Sequence, residues 1–415
     1  MSTLNVDKVD PSTGTALEIG TSGDTITVPS GATFVVAGTT EITGTNNVQR
    51  PNANPLIING DMQVAQRGTS TAGITGSNVL VVDRWRLDEG ADATLTMSQE
   101  ALTSGDAFDN GFKKSLKVLV TTADGSLAAN QSEQLMQSIE AQDLQLLKFG
   151  TSNAVNLTLA FWYKSNITGI HTVCLDKADS TRTTNPVEFT VSVADTWEYK
   201  VLNFNSDATI QGSTGAIPND NGAGLRVMWG LAYGTDYTSG TNGDWTQNGV
   251  ADFSTSNQQN IVATNSNYVE LTGVQLEVGE YTSATIPPFQ HESYGDNLAR
   301  CERYAYVISG DNQVLGFGFG KGSDNVVGPV IFPTTMRSVP TATTTTVSTG
   351  YKFQGSLPDG TAQDQNIDGS SNILEQAGTR GITYKMAGLS TVGGGSTGFF
   401  RTNSATAHIV FSSEL

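Results

Sequence analysis

The sequence predicts an all-β protein, and three observations carry that prediction. The 415 residues include 45 glycines and 54 threonines, so turn-forming and β-branched residues dominate. Charged side chains are 15% of the chain, well below the ~25% of an ordinary soluble domain, and long helical bundles need far more Ala, Glu, Lys and Leu. Short apolar runs alternate with Gly/Asn/Ser/Thr clusters along most of the length. At 37% hydrophobic, the chain has enough apolar surface to fold, and its length suits two or three domains.

Residues 1–48 read as a separate unit. Ala16-Leu17-Glu18-Ile19, Ile26-Thr27-Val28 and Phe34-Val35-Val36 are short strands split by the turn clusters Ser22-Gly23-Asp24 and Pro29-Ser30-Gly31. So small a segment buries too little to meet a backbone entropy of about 1–2 kcal/mol per residue. It is therefore expected to oligomerise or dock on a partner. Asn46–Asn54, with Arg50-Pro51, is a polar boundary.

Residues 49–292 carry strand after strand: Val79–Val82, Leu116–Val120, Val155–Tyr163, Glu188–Val193, Trp197–Leu202, Leu225–Leu231 and Tyr268–Val278. That density predicts a two-sheet sandwich of jelly-roll type, with one short helix near Ala141–Leu147. Residues 293–306 predict a linker helix, capped by Ser293, with Tyr294, Leu298, Cys301 and Ala305 on one face. Residues 307–415 return to strands, such as Val314–Phe319, Thr341–Thr346 and His408–Phe411, and suit a smaller C-terminal sandwich.

A net charge of −18, with no cluster of Lys or Arg, argues against a nucleic-acid partner. The longest apolar runs are far short of a membrane span, and Met1–Asn5 shows no secretory pattern. A soluble protein made in a cytoplasm is expected. Cys174 and Cys301 read as buried free thiols. His171, His291 and His408 lie far apart in sequence and read as structural or exposed, with no zinc spacing, nucleophile elbow or phosphate loop beside them. Paired carboxylates for glycoside cleavage remain open among 40 acidic residues, although no solenoid repeat accompanies them.

Aromatics say more. All five tryptophans fall in the middle domain. Trp85 and Trp162, within strand-like runs, read as core packing. Trp245 sits in the polar stretch Tyr237–Thr246, so Trp245, Tyr237, Asn242 and Asp244 are candidates for gripping sugar, ring face on C–H groups and polar tips on hydroxyls. The alternative is a loop aromatic folded back as a lid on the sandwich edge. Asn59, Asp61 and Glu277 could meet at one sheet edge as hard oxygen ligands for a structural calcium, or be a turn and a solvated carboxylate. No other cofactor is indicated.

The blocks Asn54-Pro55-Leu56-Ile57-Ile58-Asn59-Gly60-Asp61-Met62, Ala65-Gln66-Arg67-Gly68 and Asp83-Arg84-Trp85 resemble the opening of a jelly-roll domain in bacteriophage tail fibres. Leu157–Ser165 is similar to its central strand, Val274–Gly279 and Pro288–Tyr304 to its closing strand and helix, and Phe332–Thr341 to the start of the head that follows. The resemblance covers about residues 50–415. It implies a homotrimeric fibre in the virion, joined to the phage tail or an adaptor protein through residues 1–48. It also implies that the distal β-domains bind bacterial surface polysaccharide, with no catalytic residue transferred. Distal placement favours 307–415 as the receptor-binding head, with loops around 355–372 and 392–398; aromatic content favours the middle domain. The expectation leans to the head. The alternatives are a short tailspike-type depolymerase and a collar or decoration protein without receptor binding.

Overall fold

The computed structural model describes residues 54–415, apart from 248, 323, 368–372, 388, 390, 391 and 393. The expected docking segment 1–48 lies outside the described residues, as do parts of both expected contact loops.

The first domain opens with β1 (Ser70–Ile74), β2 (Val79–Leu80), β3 (Arg86–Glu89) and β4 (Thr94–Ala101). After the short helix α1 (Asp106–Asp109) come β5 (Lys114–Thr122), β6 (Ser132–Glu140), β7 (Leu157–Ser165) and β8 (Gly169–Lys177). β9 (Thr183–Val191), β10 (Glu198–Phe204), β11 (Ala223–Tyr233) and β12 (Tyr268–Val278) complete it. They form two six-stranded sheets, ordered β1-β4-β5-β12-β7-β10 and β2-β3-β6-β11-β8-β9, and every pairing is antiparallel. The helical turn expected near Ala141–Leu147 is present as a 3-10 helix.

Period-two alternation explains the core. Leu157, Leu159, Phe161 and Tyr163 point inward from β7, and Leu225, Val227, Trp229 and Leu231 point inward from β11. Trp229 lies 5.5 Å from Trp85 and 5.4 Å, edge to face, from Phe161. Both cysteines are buried and free.

Ser293 caps α2 (Tyr294–Glu302), its Oγ accepting from the Asp296 amide at 3.2 Å. The helix stops before the expected residue 306, because Ala305 already belongs to the next strand. The head contains β13 (Ala305–Ser309), β14 (Val314–Gly320), β15 (Asn325–Ile331), β16 (Thr341–Thr344) and β17 (Tyr351–Ser356). β18 (Ala362–Ile367), β19 (Ile373–Ala377), β20 (Gly381–Ala387), β21 (Thr397–Thr402) and β22 (His408–Ser412) follow. A three-stranded sheet, β13-β22-β16, and a seven-stranded one, β18-β17-β21-β14-β15-β20-β19, enclose a second core around Tyr351, Phe353, Tyr384, Phe400 and Phe411.

Arginines clasp the head to the first domain. Arg303 donates to both oxygens of the buried Glu140, at 2.6 and 2.7 Å, and the Tyr304 hydroxyl donates to the same carboxylate at 2.6 Å. The Arg84 guanidinium lies 3.4 Å over the Tyr304 ring and pairs with Glu414. Arg337 donates to the Ser413 carbonyl at 2.7 Å and the Asn221 carbonyl at 2.9 Å.

Candidate functional site: an aromatic groove on the outer sheet face

The same alternation that buries Phe161 and Tyr163 sends Trp162 to the opposite face of its sheet. Trp162 was expected in the core; it lies half-buried on the outer surface instead. A run of three aromatics hides its own phase, because inward and outward positions look alike. Tyr199 on β10 is the direct cross-strand partner of Trp162, and their rings lie 5.1 Å apart at 39°. The two rings form the floor of a groove of about 600 Å³.

Its wall comes from distant parts of the chain. Phe112, Phe289 and His291 contact one another at ring separations of 4.9, 5.3 and 4.8 Å. Gly273 makes room for them. β12 bulges between Thr272 and Gln275, Gly273 takes a φ of 62°, and a Cβ there would stand 2.7 Å from the Phe112 ring. Ser283, Ile286, Pro287, Pro288 and Asn110 complete the lining. Gln275 donates to the Pro287 carbonyl at 3.0 Å and hydrogen-bonds with the Tyr199 hydroxyl, whose pKa burial raises.

Physically, the groove offers flat apolar rings with polar tips around them. Rings of this kind cover the C–H faces of a sugar, while the exposed Asn110 and His291 and the Ser283 hydroxyl can meet its hydroxyls. Among the described residues no carboxylate lines it.

The sequence-predicted sugar residues lie elsewhere. Trp245 is half-buried against the main core, its ring edge-to-face with Phe149 at 5.7 Å and its Nε1–H donating to the Asn205 carbonyl at 2.6 Å. Tyr237 belongs to a separate cluster on the outer side of the second sheet, stacked on Phe253 at 6.1 Å, with its hydroxyl donating to the Asn130 carbonyl. Asn242 is exposed, and its Oδ1 accepts from the Glu188 amide at 2.9 Å. Asp244 is exposed as well. The two rings therefore pack against different clusters and form no common platform.

Of the expected calcium ligands, Asp61 and Glu277 line one cavity of about 10 Å³, together with Glu292 and Asn297. Asn59 is committed to its own turn: its Nδ2 donates to the carbonyls of Val64 and Asp83, and its Oδ1 accepts from the Val64 amide. Burial raises the Asp61 pKa, and Asn297 Nδ2 lies 3.3 Å from its carboxylate. Among the described residues, no three His, Cys, Asp or Glu side chains converge as a metal-ligand set. His171 is buried, whereas His291 is exposed on the groove wall.

Fold and groove together define the class: an antiparallel two-sheet sandwich of jelly-roll type, with an aromatic groove on one outer face and a second β-domain after it. No family model and no curated relative matches the chain. Among solved structures, it is similar to the enzymatically active domain of bacteriophage CBA120 tailspike protein 4, at 11% identity and a TM-score of 0.26 over 47% of this chain. The chain spans only 19% of that tailspike chain. It is also similar to a family 4 carbohydrate-binding module, at 12% identity and a TM-score of 0.26, over 53% of this chain and 97% of the module. A third is the family 11 carbohydrate-binding module of Clostridium thermocellum with a mixed-linked tetrasaccharide, at 12% identity and a TM-score of 0.24, over 54% and 99%. At these identities and TM-scores, no ligand and no residue role passes from them to this chain.

Proposed function

We propose that this chain is an adhesive, carbohydrate-binding protein whose groove at Trp162 and Tyr199 takes bacterial surface polysaccharide. The observation that carries the reading is the pair of cross-strand rings flooring an open cleft of about 600 Å³. Binding rather than cleavage is favoured because no carboxylate among the described residues lines the groove, whereas most glycosidases need a pair. In the fuller form of the proposal the protein is a homotrimeric phage tail fibre, attached through residues 1–48. Three shallow grooves on one fibre would then hold a virion by avidity. This places the sugar contact on the middle domain rather than on the head, where the sequence reading leaned.

The test is calorimetric titration of host-envelope polysaccharide against the full chain. Trp162→Ala and Tyr199→Ala are each expected to weaken binding at least about tenfold, the scale of one lost binding hot spot. Trp245→Ala, whose ring packs on the core beside Phe149, should be checked for folding and, where folded, bind as the parent does. Unaltered affinity in a folded Trp162→Ala variant refutes the groove. New reducing ends in the mixture would replace the binding reading by a depolymerase.

A further inference from the structure

The head carries an apolar face that its own core does not use. Val314, Phe317 and Phe319 on β14, Phe399 on β21 and Ile331 on β15 are each more than half exposed, Ile331 to 71%. Pro329 is exposed on β15 as well. Phe317 and Phe399 are cross-strand partners with ring centroids 5.4 Å apart. We propose that this face is where copies of the chain meet one another at the head.

Three arguments select a second copy as the occupant. The first is area. A covered Phe buries about 150–250 Å², so the half-exposed rings with Ile331 and Val314 present about 500 Å². Monomers seldom expose a contiguous apolar patch beyond a few hundred Å² without using it. Two such faces together reach the ~1,000 Å² that a specific interface requires.

The second is charge. None of these six side chains is charged, and the charge beside them, Arg401 opposite Val314, is basic, so a chain of net charge −18 does not set its excess of carboxylates against itself across these six residues. The third is chemistry. Phe317 and Phe399 meet at 82°, edge to face, and carry no hydroxyl or N–H. A sugar would find no flat platform in that edge-to-face pair, in contrast to the Trp162 groove. The inference stands apart from the glycan reading, because it concerns the other domain.

Cysteine crosslinking on the full chain tests it. Thr397, opposite Phe319 on the neighbouring strand, is exposed, and both native cysteines are buried. With a short bismaleimide, Thr397→Cys should give covalently joined copies, and Asp106→Cys, exposed on the first domain, should give far fewer. Adding Phe317→Asp to Thr397→Cys should lower the crosslinked yield about tenfold; Phe317→Ser serves if the charged variant does not fold. Absence of Thr397→Cys crosslinks, or a yield indifferent to both Phe317 substitutions, overturns the proposal. So does loss of binding to host-derived lipid vesicles in Phe317→Asp without crosslinks in its parent, which would make the face a receptor contact.

Discussion

At the residue scale, two side chains show how neighbours set behaviour that composition does not reveal. Phe400 fills the head core by lying against glycines of β14 and, one strand further on, β15: a Cβ on Gly318 or Gly328 would stand 2.5 Å from its ring. At Gly328 the Phe317 carbonyl oxygen would also be 2.4 Å away. Gly328→Ala is expected to destabilise the head by about 2–3 kcal/mol through overpacking, read as a lower denaturant midpoint. His171 is buried, with Nδ1 3.0 Å from the Tyr163 hydroxyl and Nε2 3.0 Å from the Ile167 carbonyl. Nε2–H therefore donates to the carbonyl and Nδ1 accepts from the phenol. Burial pulls its pKa down from 6.5 to about 4. As pH falls from 6.5 to 4, the unfolded chain takes up a proton that the folded chain refuses. This histidine alone should then cost roughly 3 kcal/mol of stability across that window and nothing more below it. Unfolding melts at several pH values should show a shallower dependence for His171→Gln than for the parent.

At the element scale, β12 decides whether the groove exists. Its bulge gives Gly273 a left-handed conformation and lets Phe112 lie on the backbone. Gly273→Ala is expected to cost about 1–3 kcal/mol in strain and to push the Phe112 ring out of the wall. Polysaccharide affinity should drop severalfold while the far-UV spectrum stays that of the parent. Much at this scale was legible in sequence: among the described residues, strands overlap the strand-like runs, though Val79–Val82 pairs only over Val79–Leu80, and the turn of helix at Ala141–Leu147 and the Ser293 cap appear where their residue patterns put them. The phase of some strands was not. In β14 the glycines of Val314–Phe319 face the core and the phenylalanines face out, the reverse of the usual half-buried strand. Nothing in the alternation itself distinguishes the two registers.

At the scale of the whole molecule, the clasp around Glu140 should make the two described domains unfold together. Glu140 is fully buried. Burial alone would raise its pKa, but hydrogen bonds from Arg303 and Tyr304 hold it below the usual glutamate value. Arg303→Ala strands that carboxylate with fewer partners. Because Arg303 is itself partly exposed, water can compensate in part, and a loss of about 1–3 kcal/mol is expected. Scanning calorimetry should then resolve two transitions where the parent shows a single one. A variant that keeps the parent's one transition would show that apolar contact, not the ion pair, couples the domains.

The sequence by itself determined the all-β class, the strand-rich middle, the helix before the head and the absence of clustered basic residues, because each depends on local pattern or bulk composition. Only the tertiary structure decided where the aromatics act. Phe112, Trp162, Tyr199, Phe289 and His291 are scattered along the chain, and they converge because antiparallel pairing sets Trp162 beside Tyr199 and the bulge at Gly273 admits Phe112. Trp245, the most conspicuous ring in a polar loop, folded back because apolar surface on the sandwich was within reach. Strand pairing and burial are long-range events, so neither can be read from the neighbours of a residue in the chain.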